Sequence, residues 1–372
     1  MRIHLSRPEV TEEDIEAVCS VLRGPNLSLG PKLSEFEGVF ADYIGRKRAV
    51  AVNSGTSGLF LSMLALGIGS GDEVITTPFT FIASATSIMM SGARPVFVDI
   101  DSSTLNMAPD AIAEKIGPRT KGILPVEIFG NPAGIEQAAQ IAEENNLPVI
   151  EDSCEALGSE LAGKKAGTFG TVSLFAFYPN KQITTGEGGM ILTDDDEVAD
   201  LCVSLRNQGR SKQGGWLGHI RLGYNFRLSD INCALGISQL KRIGRIISKR
   251  CEVARWYRER LKDDARLIAP VEPAGAHLSW FVFVVRLSED YTLEQRDVIL
   301  TKMAERGIQV SNYFPPVHLQ PFISEQFGYR EGDFPVTESV SARTIALPFY
   351  NDLAESEVEV VCTELKEILD NL

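Results

Sequence analysis

Short apolar runs alternate with amphipathic segments through much of the first half of the chain. Runs such as "RAVAVN", "RPVFVDID" and "LPVIEDSC" are rich in β-branched residues and predict strands. The segments "SGLFLSMLALG" and "GIEQAAQIAEENN" predict helices between such runs. Because the strand runs are continuously apolar, helices should cover both faces of the sheet. Residues 47–195 therefore predict an α/β domain with a mostly parallel central sheet.

The pattern changes in the second half of the chain. Residues 229–264 contain no proline and predict one long helix or two. From about residue 278, a strand "SWFVFVVRL" is followed by the helical patterns "LEQRDVILTKMAERG" and "SEVEVVCTELKEIL". We expect a large α/β domain over residues 1–245, including an N-terminal helical segment, and a small C-terminal α+β domain over residues 246–372.

Composition and charge restrict the class of protein. The formal net charge of -14 over 372 residues argues against nucleic acid as a partner, although a few local donors can still bind an anionic small molecule. Six scattered cysteines without a C-x-x-C pair favour reduced thiols over disulfides or a metal site. No apolar run approaches membrane-spanning length, and the start lacks a signal-peptide pattern. We expect a cytoplasmic protein with no membrane partner and no metal.

Polar residues follow two of the predicted strands. In "NSGTSG", the residues Gly55, Thr56 and Ser57 precede a helix, where free N–H groups and hydroxyls form an anion site suited to a phosphate. Asp152 ends the run "LPVIE" and can stabilise a cationic ring nitrogen. Taken alone, each motif is more simply explained as a helix N-cap.

The segment "FAFYPNKQITTGEGGM" brings one lysine, Lys181, to the end of an apolar, aromatic run. A partly desolvated lysine has a lowered amine pKa and can act as a nucleophile and base. The alternative is a lysine that buries its stem and keeps its ammonium group in water. That alternative does not explain the following glycines, which indicate a tight turn or a close backbone approach.

Together, a phosphate site, a strand-end carboxylate and a lysine match the needs of pyridoxal phosphate. This cofactor requires an anchored phosphate, an acid beside its pyridine nitrogen and a lysine that forms a Schiff base. Phe81, in "TTPFTFIAS", follows another strand and could stack on the pyridine ring. The sequence thus predicts a pyridoxal-phosphate enzyme.

These motifs, with "LGYNFRLSDINCALG" and "NYFPPVHLQP", run in order through almost the whole chain. The sequence resembles the DegT/DnrJ/StrS family of pyridoxal-phosphate-dependent nucleotide-sugar aminotransferases, and within it most resembles the GDP-perosamine synthase group. The resemblance implies the aspartate-aminotransferase-like fold (fold type I), with the large domain and the smaller C-terminal domain described above. It also implies a homodimer whose active sites are shared between subunits.

The resemblance also implies roles for single residues. Lys181 would bind the cofactor covalently and move the proton, Asp152 would keep the pyridine nitrogen protonated, and Phe81 would stack on the ring. The phosphate would be bound by residues of two subunits, namely Gly55, Thr56 and Ser57 of one chain and Asn225 of its neighbour. The remaining site residues would be Glu155 beside the ring hydroxyl or substrate, and His318, His219 and Glu187 toward the substrate. For either histidine, a structural role in its loop is nearly as good an explanation.

Three features need separate interpretation. Ala176 stands where many members of the family have a serine that donates to the phosphate, so another donor must compensate. Glu127 stands where a histidine is common, which indicates a diverged sugar pocket. The basic run Lys241, Arg242, Arg245, Lys249 and Arg250 could meet a nucleotide diphosphate, but it is typical of the solvated face of a helix.

The expected reaction is transfer of an amino group from L-glutamate to a nucleotide-linked keto-deoxysugar, such as a 4-keto-6-deoxyhexose, for amino-sugar and O-antigen polysaccharide biosynthesis. One alternative is a pyridoxal-phosphate-dependent sugar dehydratase; such dehydratases carry histidine in place of the lysine, or extra cysteines. A second is a catalytically silent regulatory homologue, which would have lost Lys181 or Asp152. A third is transfer to a cyclitol or another carbonyl compound.

Overall fold

A computed structural model describes residues 2–211 and 217–372 of the chain. Helices and strands alternate from β1 to β5, as the apolar pattern predicts, and four further strands then follow before the next helix. The strands are β1 (Arg48–Val52), β2 (Glu73–Thr76), β3 (Arg94–Phe97), β4 (Thr120–Ile123), β5 (Ile150–Asp152), β6 (Glu160–Leu161), β7 (Lys164–Lys165), β8 (Val172–Ala176), β9 (Gly189–Thr193), β10 (Leu267–Ile268), β11 (Ala276–His277), β12 (Phe283–Leu287) and β13 (Thr344–Leu347). The α-helices are α1 (Glu12–Leu22), α2 (Pro31–Ile44), α3 (Gly55–Ala65), α4 (Ala83–Met90), α5 (Pro109–Lys115), α6 (Ile135–Glu144), α7 (Asp196–Arg206), α8 (Asp230–Lys241), α9 (Ile243–Leu261), α10 (Leu293–Glu305), α11 (Pro321–Phe327), α12 (Pro335–Ser341) and α13 (Glu355–Asp370).

The large sheet has the strand order β3–β2–β4–β5–β8–β9–β1, with β4 and β5 joined by a parallel bridge between Ile123 and Val149. Strand β9 is antiparallel to both of its neighbours, and the other pairs are parallel. The predicted α/β class with a mostly parallel sheet is therefore confirmed. Its parallel strands end at one edge, where open α/β sheets bind their ligands.

Both faces of this sheet are buried. Val50 and Val52 of β1 pack on the same side as Leu59 of α3, whereas Ala49 and Ala51 pack on the side of α2 and α8. Side chains along a strand point alternately to opposite faces, so a strand covered on both sides must be apolar at every position. This is why the strands appear in the sequence as continuous apolar runs.

A second, three-stranded antiparallel sheet, in the order β10–β12–β13, forms the core of the C-terminal part together with α9, α10 and α13. Ile3 also packs into this core and pairs with Ile308, so the chain's first residues contact its C-terminal half. The proline-free segment forms two helices, α8 and α9, rather than one. None of the helices in the described part of the chain is long and apolar enough to cross a membrane.

Candidate active site

A cleft of about 750 Å³ opens at the carboxyl ends of the parallel strands, between the large sheet and the C-terminal part. Segments that follow five strands of the sheet, β1, β2, β4, β5 and β8, supply one side of it. Segment 312–317 and Phe281 supply much of the other side. Of the residues predicted from sequence, the cleft is lined by Gly55, Thr56, Phe81, Asp152, Glu155, Lys181 and Glu187. The fold thus brings most of the candidate residues into one cavity.

The N-terminus of α3 points at this cleft. Ser54 caps the helix, and its hydroxyl accepts the Ser57 N–H at 3.1 Å. The N–H groups of Gly55 and Thr56 belong to the first turn, where a helix offers no internal acceptor. The cap and the anion site are therefore both present, because Ser57 completes the cap while Gly55 and Thr56 face the cleft.

Glycines allow the backbone to come close at this corner. A Cβ atom on Gly189 would lie 2.8 Å from the carbonyl of Ser54, and one on Gly55 would lie 2.9 Å from the Cβ of Ala176. The glycines after Lys181 thus let β9 pass directly beside the α3 N-terminus, a close approach that the sequence predicted. Ala176 lines the cleft without a hydroxyl, so serine's extra donor is missing here.

Asp152 is held in place at the end of β5. One carboxylate oxygen accepts the Ser84 hydroxyl at 2.8 Å, and the other accepts the Cys154 N–H at 3.3 Å. The carboxylate is almost buried, yet it lines the cleft. Such a fixed, desolvated negative charge can keep a proton on a nitrogen placed against it. Sequence reasoning missed Ser84, because a serine inside a helix carries no signal of its distant partner.

The Lys181 amine lies 3.6 Å from the Glu155 carboxylate and 3.9 Å from the centroid of the Phe281 ring. Its side chain is 13% exposed, which excludes the alternative of an ammonium group held in bulk water. Glu155 also accepts the Phe129 N–H at 2.8 Å. Burial raises the pKa of Glu155, and the positive charge of Lys181 opposes that rise.

Phe81 and Glu187 border the cleft in different ways. Phe81 remains 58% exposed and meets the Phe314 ring edge-on, so one of its faces stays open to the cavity. Glu187 lies in the glycine-rich turn and is exposed at the cleft mouth.

Apart from Ser57, which completes the α3 cap, three predicted residues do not line this cleft. Asn225 is exposed, and its backbone bridges to Asn207. His219 is also exposed, and its Nδ1 lies 2.8 Å from the Gln208 carbonyl. The His318 ring is buried, with Nε2 2.9 Å from Glu338, and burial lowers its pKa. The structure therefore does not place these three side chains at their own chain's site, and their roles stay predictions.

Only part of the basic run is the solvated helix face that its charge pattern indicated: Lys241 and Arg245 are exposed, whereas the other three side chains are not. Arg242, Arg245 and Lys249 pair with Glu9 of the N-terminal segment. Arg250 is 3% exposed, and burial lowers its pKa to about 10. Arg242 and Lys249 hold the N-terminal segment onto α8 and α9. The charge pattern was wrong for them and for Arg250, because their partners are remote in the chain.

The donor set fits pyridoxal phosphate. The α3 N-terminus supplies N–H groups for a phosphate, Asp152 supplies a carboxylate for a ring nitrogen, and Lys181 supplies an amine, all in one cavity. The Cβ contacts at Gly55 and Gly189 show that side chains there would clash with this corner of the site. Among residues 2–211 and 217–372, no group of three or more His, Cys, Asp or Glu side chains could hold a metal ion.

Comparison with known proteins agrees with this geometry. The chain matches the DegT/DnrJ/EryC1/StrS aminotransferase family over residues 8–366. It is 38% identical to the GDP-perosamine synthase of Caulobacter vibrioides, over 92% of this chain and 91% of that protein. It is 37% identical to the spore coat polysaccharide biosynthesis protein SpsC of Bacillus subtilis, over 98% of this chain and 96% of that protein. The PLP form of the putative sugar aminotransferase Spr1654 from Streptococcus pneumoniae has a TM-score of 0.95 and 26% identity, covering 100% and 99% of the two chains.

The fold and the site define an aminotransferase of fold type I. More particularly, the chain belongs to the DegT/DnrJ/EryC1/StrS aminotransferase family, whose members in general depend on pyridoxal phosphate. The resemblance seen in the sequence motifs is thereby confirmed, including the similarity to GDP-perosamine synthases.

Glu127 does not line the cleft of its own chain, and its N–H donates to the Asp152 carbonyl at 3.1 Å, so its link to a diverged sugar pocket stays a prediction. Its carboxyl is 1% exposed, and neither oxygen has a hydrogen-bond partner among the described residues. The neighbouring Glu151 instead accepts the Ser153 hydroxyl and three backbone N–H groups, at 2.5 to 3.2 Å. Burial and the negative charge of Glu151 raise the pKa of Glu127 well above its usual range, whereas the backbone N–H groups oppose the rise that burial causes in the pKa of Glu151.

Replacing Glu127 by glutamine should change how stability depends on pH. The unfolded chain releases the Glu127 proton near pH 4.5, whereas the folded protein retains it to higher pH, so the free energy of unfolding falls as pH rises above that value. Glutamine does not titrate, so the Glu127→Gln variant should not show this decrease in the free energy of unfolding. Urea unfolding between pH 4 and 8 should therefore show the variant gaining stability relative to the wild type as pH rises. Glu114→Gln, at an exposed position, controls for the loss of a carboxyl group; parallel wild-type and Glu127→Gln curves would contradict the prediction.

Proposed function

We propose that this chain transfers an amino group from L-glutamate to a nucleotide-linked keto-deoxysugar, with pyridoxal phosphate as cofactor. The observation that carries the proposal is the convergence of the Lys181 amine, the Asp152 carboxylate and the α3 N-terminus on one cleft. A 4-keto-6-deoxyhexose is the acceptor we favour, because the GDP-perosamine synthases are among the relatives. We place the reaction in the cytoplasm, in amino-sugar biosynthesis for polysaccharide.

Pyridoxal phosphate, when bound, carries the amino group and delocalises the electron pair left when a carbon loses its proton. The first turn of α3 would bind the phosphate through the N–H groups of Gly55 and Thr56. Asp152, fixed by Ser84, would hold a proton on the ring nitrogen. Phe81 would cover one face of the ring. Lys181 would take the proton from the donor and return it to the acceptor, because its amine is the basic group inside the cavity.

The test is an absorption spectrum of the purified protein with pyridoxal phosphate, before and after L-glutamate alone. We expect a visible band from lysine-bound cofactor, its conversion to the pyridoxamine phosphate band, and release of 2-oxoglutarate. GDP-, UDP- and dTDP-linked 4-keto-6-deoxysugars should then restore the first band if they are acceptors. A band that glutamate leaves unchanged would favour another donor or the dehydratase, and no band at all would favour the silent homologue.

We also propose that two copies of the chain share each site. Asn225 lies outside its own cleft, and the nearby Leu217, Ile220 and Leu222 are 82%, 61% and 81% exposed. Large apolar side chains exposed together mark an interaction surface. A second copy seated there would cover them and could bring Asn225 to the neighbouring phosphate.

Shared sites predict that two inactive variants restore one another. Lys181→Ala removes the amine of one chain, and Asn225→Asp sets a negative charge against the phosphate bound by the other. A mixed dimer then has one site with both changes and one intact site, so co-refolding equal amounts should recover about a quarter of wild-type activity. Each variant refolded alone serves as the control, and a mixture no more active than its parts would show that the sites are separate.

A further inference from the structure

Arg250 of α9 has a buried guanidinium group that serves three backbone carbonyls. One nitrogen donates to Trp280 at 3.1 Å and to Phe281 at 3.0 Å, and the other donates to Lys181 at 3.2 Å. No carboxylate in the described ranges forms an ion pair with it. A buried charge without a counter-ion is costly, so these three contacts must be well formed for the side chain to stay there.

The three carbonyls belong to two distant parts of the chain that meet at the cleft. Lys181 follows β8 of the large sheet, whereas Trp280 and Phe281 precede β12 of the C-terminal sheet. Trp280 has a φ of 55°, in the left-handed region that a bulky residue adopts only when its surroundings hold it there. The next residue is Phe281, and the centroid of its ring lies 3.9 Å from the Lys181 amine.

We propose that Arg250 is a positioning residue of the active site: it ties the Lys181 loop to residues 280 and 281 and so fixes the Phe281 ring against the Lys181 amine. The proposal rests on the proposed role of Lys181 as the cofactor-binding lysine. In that role the amine is released and bound again in each cycle. Two groups would keep the released amine at one position: the Phe281 ring and the Glu155 carboxylate, which lies 3.6 Å from the amine. From that position the amine can act on the substrate carbon.

The test measures the reactivity of the Lys181 amine in the cofactor-free protein. Lysines are labelled by brief reductive methylation, and labelling of Lys181 is quantified by mass spectrometry against the exposed Lys121. Phe281→Leu removes the aromatic face, and Arg250→Lys keeps the positive charge but loses the planar fork that reaches three carbonyls. Both variants should increase labelling of Lys181 by roughly three- to tenfold. This is the change expected when the protonated amine loses one partly desolvated cation–π contact, because only the free amine is labelled. The double variant should show the same labelling of Lys181 as each single variant, because both substitutions disrupt the same contact between the Phe281 ring and the Lys181 amine.

Arg296→Lys is the matched control for loss of a buried guanidinium. Arg296 is 2% exposed and also donates to two backbone carbonyls, of Ser341 and Thr344, but these residues do not line the cleft. The Arg296→Lys substitution should lower the melting temperature of the protein without changing the labelling of Lys181. The proposal is overturned if Arg250→Lys labels like the wild type, if Arg296→Lys increases labelling equally, or if the effects of Arg250→Lys and Phe281→Leu add. Since no cofactor is present, these results are independent of the absorption spectrum that tests the proposed function.

Discussion

Lys181→Ala is expected to lower turnover by at least about a thousandfold, the largest effect of any single substitution in this chain. The amine has two tasks in the proposed reaction, covalent attachment of the cofactor and transfer of a proton, and no other lysine lines the cleft in the described part of the chain. Alanine removes both. The visible band of lysine-bound cofactor should disappear together with the activity, so the two measurements must change in parallel.

Lys165→Ala is the matched control for this substitution. Lys165 is also half-buried, and its amine lies 4.1 Å from the centroid of the Tyr43 ring, but it is outside the cleft. Its removal should leave the visible band unchanged and turnover close to that of the wild type. Lys181→Ala protein that turns over at a rate within tenfold of the wild type would contradict the assignment of Lys181.

Asp152→Asn is expected to lower turnover by about a hundredfold or more, with the cofactor still bound. Asparagine has the same shape and can still accept the Ser84 hydroxyl, but it lacks the negative charge that would keep a proton on the ring nitrogen. The ring would then stabilise the electron pair formed in proton transfer less well. Single-turnover measurements with glutamate should show the loss in the chemical step, not in cofactor affinity.

Asp230→Asn controls for the loss of a buried carboxylate. Asp230 is fully buried and accepts the N–H groups of Gly30 and Lys32 at 2.8 and 2.9 Å, away from the cleft. It should lower the free energy of unfolding while turnover per folded molecule is retained. Wild-type turnover in Asp152→Asn, or an equal loss in Asp230→Asn, would refute the proposed role of Asp152.

Much of the site could be predicted because its groups follow strands. A residue just after a parallel strand lies at the ligand-binding edge of the sheet wherever that strand is placed. This is why Gly55, Phe81 and Asp152 were found from sequence, and why they line one cleft. Ser84, Arg250 and Phe281 were missed for the opposite reason, since their importance depends on partners far away in the chain. Arg250 even carried a misleading signal, because its charged neighbours indicated a solvated helix face.

The sequence by itself determined the α/β class, the family, and the order of a phosphate site, a carboxylate and a lysine along the chain. These follow from local information, namely apolar periodicity and short motifs whose geometry is set by neighbouring residues. Only the tertiary structure decided that β9 runs antiparallel and that α8 and α9 are separate helices. It also decided that Glu127 is buried next to Glu151, which raises the pKa of its carboxyl, and that Arg250 joins the Lys181 loop to Phe281. Burial and long-range contacts fix these features, and both arise only when distant segments pack together.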